Sequence, residues 1–160
     1  MRNISIICVG RLKEPFLRDA CAEYAKRLSG FCKLTVTEVL EERLPDNPSP
    51  AQIKAAILAE GRRILTKIDG KPTCIALCIE GSAMSSDEFA HYLEDISVRG
   101  RPDVALLIGG SWGLSHEVKA AVDLRLSLSK MTFPHQLTRV ILLEQLYRAY
   151  QIISGGRYHK

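Results

Sequence analysis

The sequence predicts an α/β fold, a three-layer sandwich around a mainly parallel sheet, on three observations. Short apolar, β-branched runs alternate with stretches of helical spacing along the chain. Two of the later runs, TCIALCI and DVALLI, are apolar on both faces, the pattern of parallel strands covered by helices on each side. The chain closes on a long helical segment that is apolar nearly all round and needs cover beyond one sheet face.

Taken in order, residues 3–9 (NISIICV) read as the first strand. Phe16, Leu17, Ala20, Cys21, Tyr24 and Leu28 then recur at helical spacing. Residues 33–39 (KLTVTEV) form a second strand, and the proline-rich stretch 40–51 reads as a surface loop leading into a helix marked by Ile53, Ala56, Ile57, Ile64, Leu65 and Ile68. Residues 73–79, 103–108 and 124–128 supply three more strands. Ser115 is placed to cap a helix after a glycine loop, and Pro134 opens the last helix, which runs to Ile153. In open sheets of this kind ligands bind beyond the carboxyl ends of the strands, which singles out the loops after residues 79, 108 and 128.

With 160 residues, 46% of them hydrophobic, the chain can bury one full core, so residues 1–160 read as a single domain. No apolar run is long enough to span a bilayer and the first residues do not form a secretory signal, which points to the cytoplasm. The five cysteines are an odd number placed mostly in apolar stretches, so packed, reduced thiols are expected. Cys74 and Cys78 share a strand face, but no further ligands complete a metal pattern, and no metal is expected. Residues 99–160 hold 9 basic and 4 acidic groups, against 13 and 14 in residues 1–98, a bias that favours an anionic partner such as RNA or a nucleotide.

Three segments carry candidate chemistry. Gly109-Gly110-Ser111-Trp112-Gly113 follows a strand and lets the backbone approach a ligand closely, yet it lacks the lysine of a phosphate-binding P-loop and the G-x-G-x-x-G pattern. An ordinary tight strand-to-helix turn would use the same glycines. Leu128-Ser129-Lys130-Met131-Thr132-Phe133 offers hydroxyls, backbone and apolar side chains that suit a nucleoside slot, or an ordinary connection. The tail Arg157-Tyr158-His159-Lys160 combines a stacking ring, a titratable imidazole and two cations, although most chain ends are unstructured. On the last helix, Arg139, Glu144 and Arg148 stand in apolar surroundings, with Glu144 and Arg148 at ion-pair spacing; they read as a structural pair or, for the arginines, as phosphate contacts. The second apolar stripe of that helix, Leu137, Val140, Ile141 and Tyr147, predicts a homodimer. His91 and His116 read as solvated helix residues, and His135 as the one internal histidine close to a ligand loop.

The segments IGGSWGLS (108–115), LSLSKMTFPHQLTRVILLEQLYRAYQI (126–152) and the terminal YHK, with the opening Cys8-Val9-Gly10-Arg11-Leu12-Lys13, resemble the RlmH family of SPOUT-class methyltransferases along essentially the whole chain. The resemblance implies a C-terminal trefoil knot and S-adenosylmethionine as methyl donor. It further implies a substrate, N3 of a pseudouridine in a stem-loop of 23S ribosomal RNA, reached on the assembled large subunit or the 70S ribosome. Matched by position, the donor site falls at Leu77, Gly109, Leu128, Ser129, Lys130, Met131, Thr132 and Phe133. Trp112 departs from the residue usual at its position. On this reading His159 takes the N3 proton, Tyr158 stacks on or orients the base, and Arg139, Arg148, Arg157 and Lys130 anchor phosphates, with the tail completing the pocket of the opposite subunit. Two alternatives stand beside it: a SPOUT enzyme acting on transfer RNA, and a non-catalytic RNA-binding dimer in ribosome assembly.

Overall fold

The computed structural model describes residues 1–159. Strand and helix alternate throughout: β1 (Arg2–Val9), α1 (Pro15–Leu28), β2 (Cys32–Val39), α2 (Pro50–Thr66), β3 (Thr73–Ala83), α3 (Ser86–Val98), β4 (Val104–Ile108), α4 (His116–Ala120), β5 (Leu124–Ser127) and α5 (His135–Ile153). The strands form one five-stranded sheet in the order β2-β1-β4-β3-β5, with parallel pairing between all neighbours.

Side chains on successive strand residues point to opposite faces, and both faces are apolar. Ile4, Ile6, Cys8, Leu106 and Ile108 pack with Leu28 of α1, Leu93 of α3 and Leu142 and Leu146 of α5. Ile7, Val9, Ala105 and Leu107 face the other way, onto Ile64 of α2 and Val118 of α4. A β4 buried at all five positions is therefore the centre of the three-layer sandwich that the doubly apolar run predicted.

Local chemistry fixes the helix starts. Ser49 and Gln52 form a capping box ahead of α2, Ser85 and Glu88 form another ahead of α3, and the Ser115 hydroxyl accepts from the Val118 amide at 3.1 Å. Of the two stripes on α5, Leu142, Leu143, Leu146, Ala149 and Tyr150 are buried against the sheet. The other stripe faces outward, with Leu137 exposed and Val140 and Ile141 half-buried.

One expected boundary is corrected. The third strand does not end at residue 79 but continues to Ala83, and Leu77 and Ser82 both pair with Leu126, so residues 78–81 bulge out of the ladder. A Cβ at Gly81 would lie 2.7 Å from the Arg125 carbonyl carbon, so only glycine lets the bulge close onto β5. Among the described residues no helix is long and apolar enough to cross a membrane, and no group of three or more His, Cys, Asp or Glu side chains could hold a metal ion. The described cysteines are all free thiols.

Candidate functional site

A cavity of about 820 Å³ opens at the carboxyl ends of β3, β4 and β5. Three segments wall it: the bulge Cys78-Ile79-Glu80, the glycine loop from Gly109 to Gly113, and the connection running from Leu128 to Pro134. Seven of the eight expected donor-site residues line it, namely Leu77, Gly109, Leu128, Ser129, Met131, Thr132 and Phe133. Lys130 is the exception. It is exposed and outside the lining, because a solvated ammonium on a long stem gains nothing by turning into an apolar cavity.

The glycine loop is a closed turn. The Gly113 amide donates to the Gly110 carbonyl at 3.0 Å, the two residues bridge, and Gly113 has φ +84°. A Cβ at Gly109 would sit 2.5 Å from the Gly113 carbonyl carbon, which a side chain does not permit. Ser111 and Trp112 form the tip of this turn, and Trp112 is 53% exposed.

Glu60 of α2 lies behind the loop, 6% exposed, where its carboxylate accepts from the Glu42 amide at 3.0 Å. Burial pushes its carboxyl above the usual glutamate range. A raised folded-state value means that ionising Glu60 costs stability, increasingly as pH rises above the ordinary glutamate value and through the raised one. Glu60→Gln should therefore leave the melting temperature unchanged in acid and raise it relative to the parent towards neutral pH. Parallel melting curves across that range check this.

At the start of α5, His135 lines the same cavity, half-buried. Burial lowers its pKa, with Arg139 and Lys13 pushing the same way against Glu41, which favours the neutral imidazole. His91 and His116 are exposed on α3 and α4, as expected of solvated residues.

Arg139 corrects an expectation. It is 4% exposed and pairs with Glu38 at 2.7 Å and with the Gly10 carbonyl at 3.2 Å, so it ties α5 to the ends of β1 and β2 and presents nothing to a phosphate. Removing it would orphan Glu38, itself partly solvated, so Arg139→Ala should cost about 2–3 kcal/mol and lower the melting temperature by roughly 5–10 °C. Loss of RNA affinity at an unchanged melting temperature would restore the phosphate role.

Tyr158 and His159 fold back on α5 of their own chain. Arg148 grips Glu144 through Nε at 2.9 Å and Nη2 at 2.6 Å, and the Tyr158 ring lies 4.8 Å from the Arg148 guanidinium and edge-on to Tyr147. Arg148 Nη1 meets His159 Nδ1 at 3.2 Å, and His159 Nε2 meets Asp87 of α3 at 3.2 Å. A guanidinium can only donate, so Nδ1 accepts and Nε2–H donates to Asp87. Tyr158 donates to Glu144 at 3.3 Å, and burial, aided by Tyr24 and Glu144, pushes its phenol up to about 12, so it stays protonated near neutrality. Arg148 is thus committed within the chain, which corrects its reading as a free phosphate contact, while Arg157 is exposed. None of residues 157–159 lines the cavity. Arg148 lies thirteen residues along α5 from His135, about 20 Å of helix rise.

With that geometry in view, a family model described as "Predicted SPOUT methyltransferase" matches residues 2–159. The chain belongs to the SPOUT methyltransferase family. Among relatives of this SPOUT methyltransferase, the ribosomal RNA large subunit methyltransferase H of Clostridium beijerinckii is 48% identical over 158 residues, 99% of each chain. The protein of the same name from Clostridium novyi is 50% identical over 158 residues, again 99% of both. In fold the SPOUT chain is similar to a methylase family protein from Haemophilus influenzae, with a TM-score of 0.52 at 13% identity, covering 99% of this chain and 70% of that one.

Proposed function

We propose that this SPOUT methyltransferase transfers a methyl group from S-adenosylmethionine to N3 of a pseudouridine in a stem-loop of 23S ribosomal RNA, working as a cytoplasmic homodimer on the assembled large subunit or the 70S ribosome. One observation carries the reading: seven of the eight residues that the resemblance assigns to the donor site line the cavity at the sheet's carboxyl edge, in a chain whose relatives, matched over 99% of both chains, are named as large-subunit ribosomal RNA methyltransferases.

The cavity suits the donor. Its volume is in the range of small-molecule sites, its wall is largely apolar through Leu77, Ile108, Leu126, Leu128 and Phe133, and Ser129 and Thr132 add hydroxyls. When bound, the donor supplies a methyl group made electrophilic by a sulfonium centre. The chain's own residues must exclude water, hold the base and remove its N3 proton, because the nitrogen becomes nucleophilic only as that proton leaves. In this reading His159 accepts the proton at Nδ1 once Arg148 releases it. Tyr158, held as a phenol, orients the base.

The distance between tail and cavity within one chain supports a composite site, in which one protomer's tail reaches the other's donor pocket. The outward stripe of α5, with Leu137 39% exposed, supports a two-fold contact along that helix. A single domain over residues 1–160 and a C-terminal trefoil knot belong to the same reading, on the strength of the family.

The deciding experiment offers labelled S-adenosylmethionine to ribosomes lacking the modification, to naked ribosomal RNA and to transfer RNA, and maps the labelled nucleotide. Label at N3 of a large-subunit pseudouridine, with ribosomes preferred, is expected. Transfer confined to transfer RNA would overturn the substrate.

A further inference from the structure

We propose that Trp112 is a positioning residue for the RNA, an indole platform on which a nucleobase of the acceptor loop stacks at the mouth of the donor pocket. The inference rests on the methyl-transfer reading and deepens it.

Trp112 is the chain's only tryptophan, and over half of it is exposed. Its backbone is nonetheless held firmly, since it sits at the tip of the turn that the Gly113–Gly110 hydrogen bond closes and that Gly109 packs beneath. A large apolar ring kept in water on a rigid turn serves no core, and its cost to recognition has already been met before a ligand arrives.

The position is specific. Ser111 and Trp112 line the donor pocket and also a second cavity of about 1220 Å³, which lies over the carboxyl ends of β1 and β2 and the loop that follows β2. The two cavities meet again where His135, in the first, approaches Gly10, in the second: His135 Nε2 would be 3.8 Å from a Cβ there. A base moving between the cavities along their shared wall therefore passes the indole.

Charge does not compete for the role. In the second cavity Glu38 and Glu42 are paired with Arg139 and Arg63, and the remaining ionisable side chains, Arg11, Lys13 and Arg43 against Glu41, Asp46 and the buried Glu60, are balanced in number. What the shared rim offers RNA is a ring face, and RNA recognition in loops uses splayed bases stacked on aromatic side chains.

The test compares the parent with Trp112→Ala and Trp112→Phe, using unmodified ribosomes and S-adenosylmethionine. For Trp112→Ala the KM for ribosomes should rise roughly tenfold, the scale of one lost base stack, while kcat and the KM for the donor stay within about twofold; Trp112→Phe should recover most of the loss. Because the fluorescence comes from one indole, acrylamide quenching of the parent should be as efficient with S-adenosylmethionine bound as without it. A parental KM for ribosomes in Trp112→Ala overturns the proposal, as does a phenylalanine variant no better than alanine. Loss of quenching on donor binding, matched by a weakened donor KM in Trp112→Ala, makes the indole a donor wall and also overturns it. If the parent itself transfers no methyl group to ribosomes, the functional reading fails first, a result distinct from any of these.

Discussion

Replacing His159 with alanine should lower kcat for methyl transfer by roughly 100- to 10,000-fold, the usual worth of a positioned proton acceptor, while S-adenosylmethionine binds within about twofold of its parental affinity. Deleting residues 157–160 should do the same. The reason is a separation of tasks: the bulge, the glycine loop and the Leu128 to Pro134 connection wall the cavity with no residue of 157–159 among them, so what the tail adds in the proposed composite site is the proton acceptor and not the wall of the cavity. Melting temperature and donor titration show whether the fold survives; a kcat near the parental value in the truncated protein would discard the tail as a catalytic element.

The same geometry predicts which chain the tail serves. A tail-deleted protomer mixed with one whose donor pocket is blocked, for instance by Leu128→Trp, should regain roughly a quarter of parental activity, because random two-fold pairing puts one intact composite site in half of the dimers. A tail working in its own chain would give no recovery, since each protomer would carry one fatal defect. The same mixture also reports on the dimer, as monomers cannot complement.

Much of this layout was legible in the residues. Apolar runs over residues 3–9 and 103–108 marked strands within a residue or two, because a strand buried on both faces has nothing to hide from its neighbours. Pro134 marked the start of α5 through its fixed φ, and in the structure Gly155, at φ +72°, follows the helix end. The bulge after Leu77 was less visible, since TCIALCIEGSA reads as a strand and then a loop; Gly81 within it was the one signal. Helix α3 was not picked out by its apolar spacing, although Ser85 and Glu88 announced its start. Arg139 misled because a guanidinium on an apolar helix fits two environments equally well, and its partner Glu38 stands 101 residues away in sequence. Only tertiary structure brings such a pair together.

The second large effect should come from a single methyl group. In Gly109→Ala the new Cβ would meet the Gly113 carbonyl carbon at 2.5 Å, its oxygen at 2.6 Å and the Leu114 nitrogen at 2.9 Å, all backbone atoms that cannot rotate away. The turn from Gly110 to Gly113 must open, and the wall of the cavity proposed to hold the donor moves with it. Overpacking of this kind costs about 1–3 kcal/mol, or a fall of roughly 3–10 °C in melting temperature at this chain length. Catalysis should suffer more than stability, because a displacement of about 1 Å in a positioning element costs on the order of 100-fold in rate. Gly30→Ala is the matched control: nothing lies within 4 Å of a Cβ there, so it should leave melting and donor binding unchanged. If Gly109→Ala bound S-adenosylmethionine as tightly as the parent and methylated at a comparable rate, the glycine loop would be a turn that happens to border the cavity, and the donor would have to be held by the bulge and the Leu128 to Phe133 segment alone.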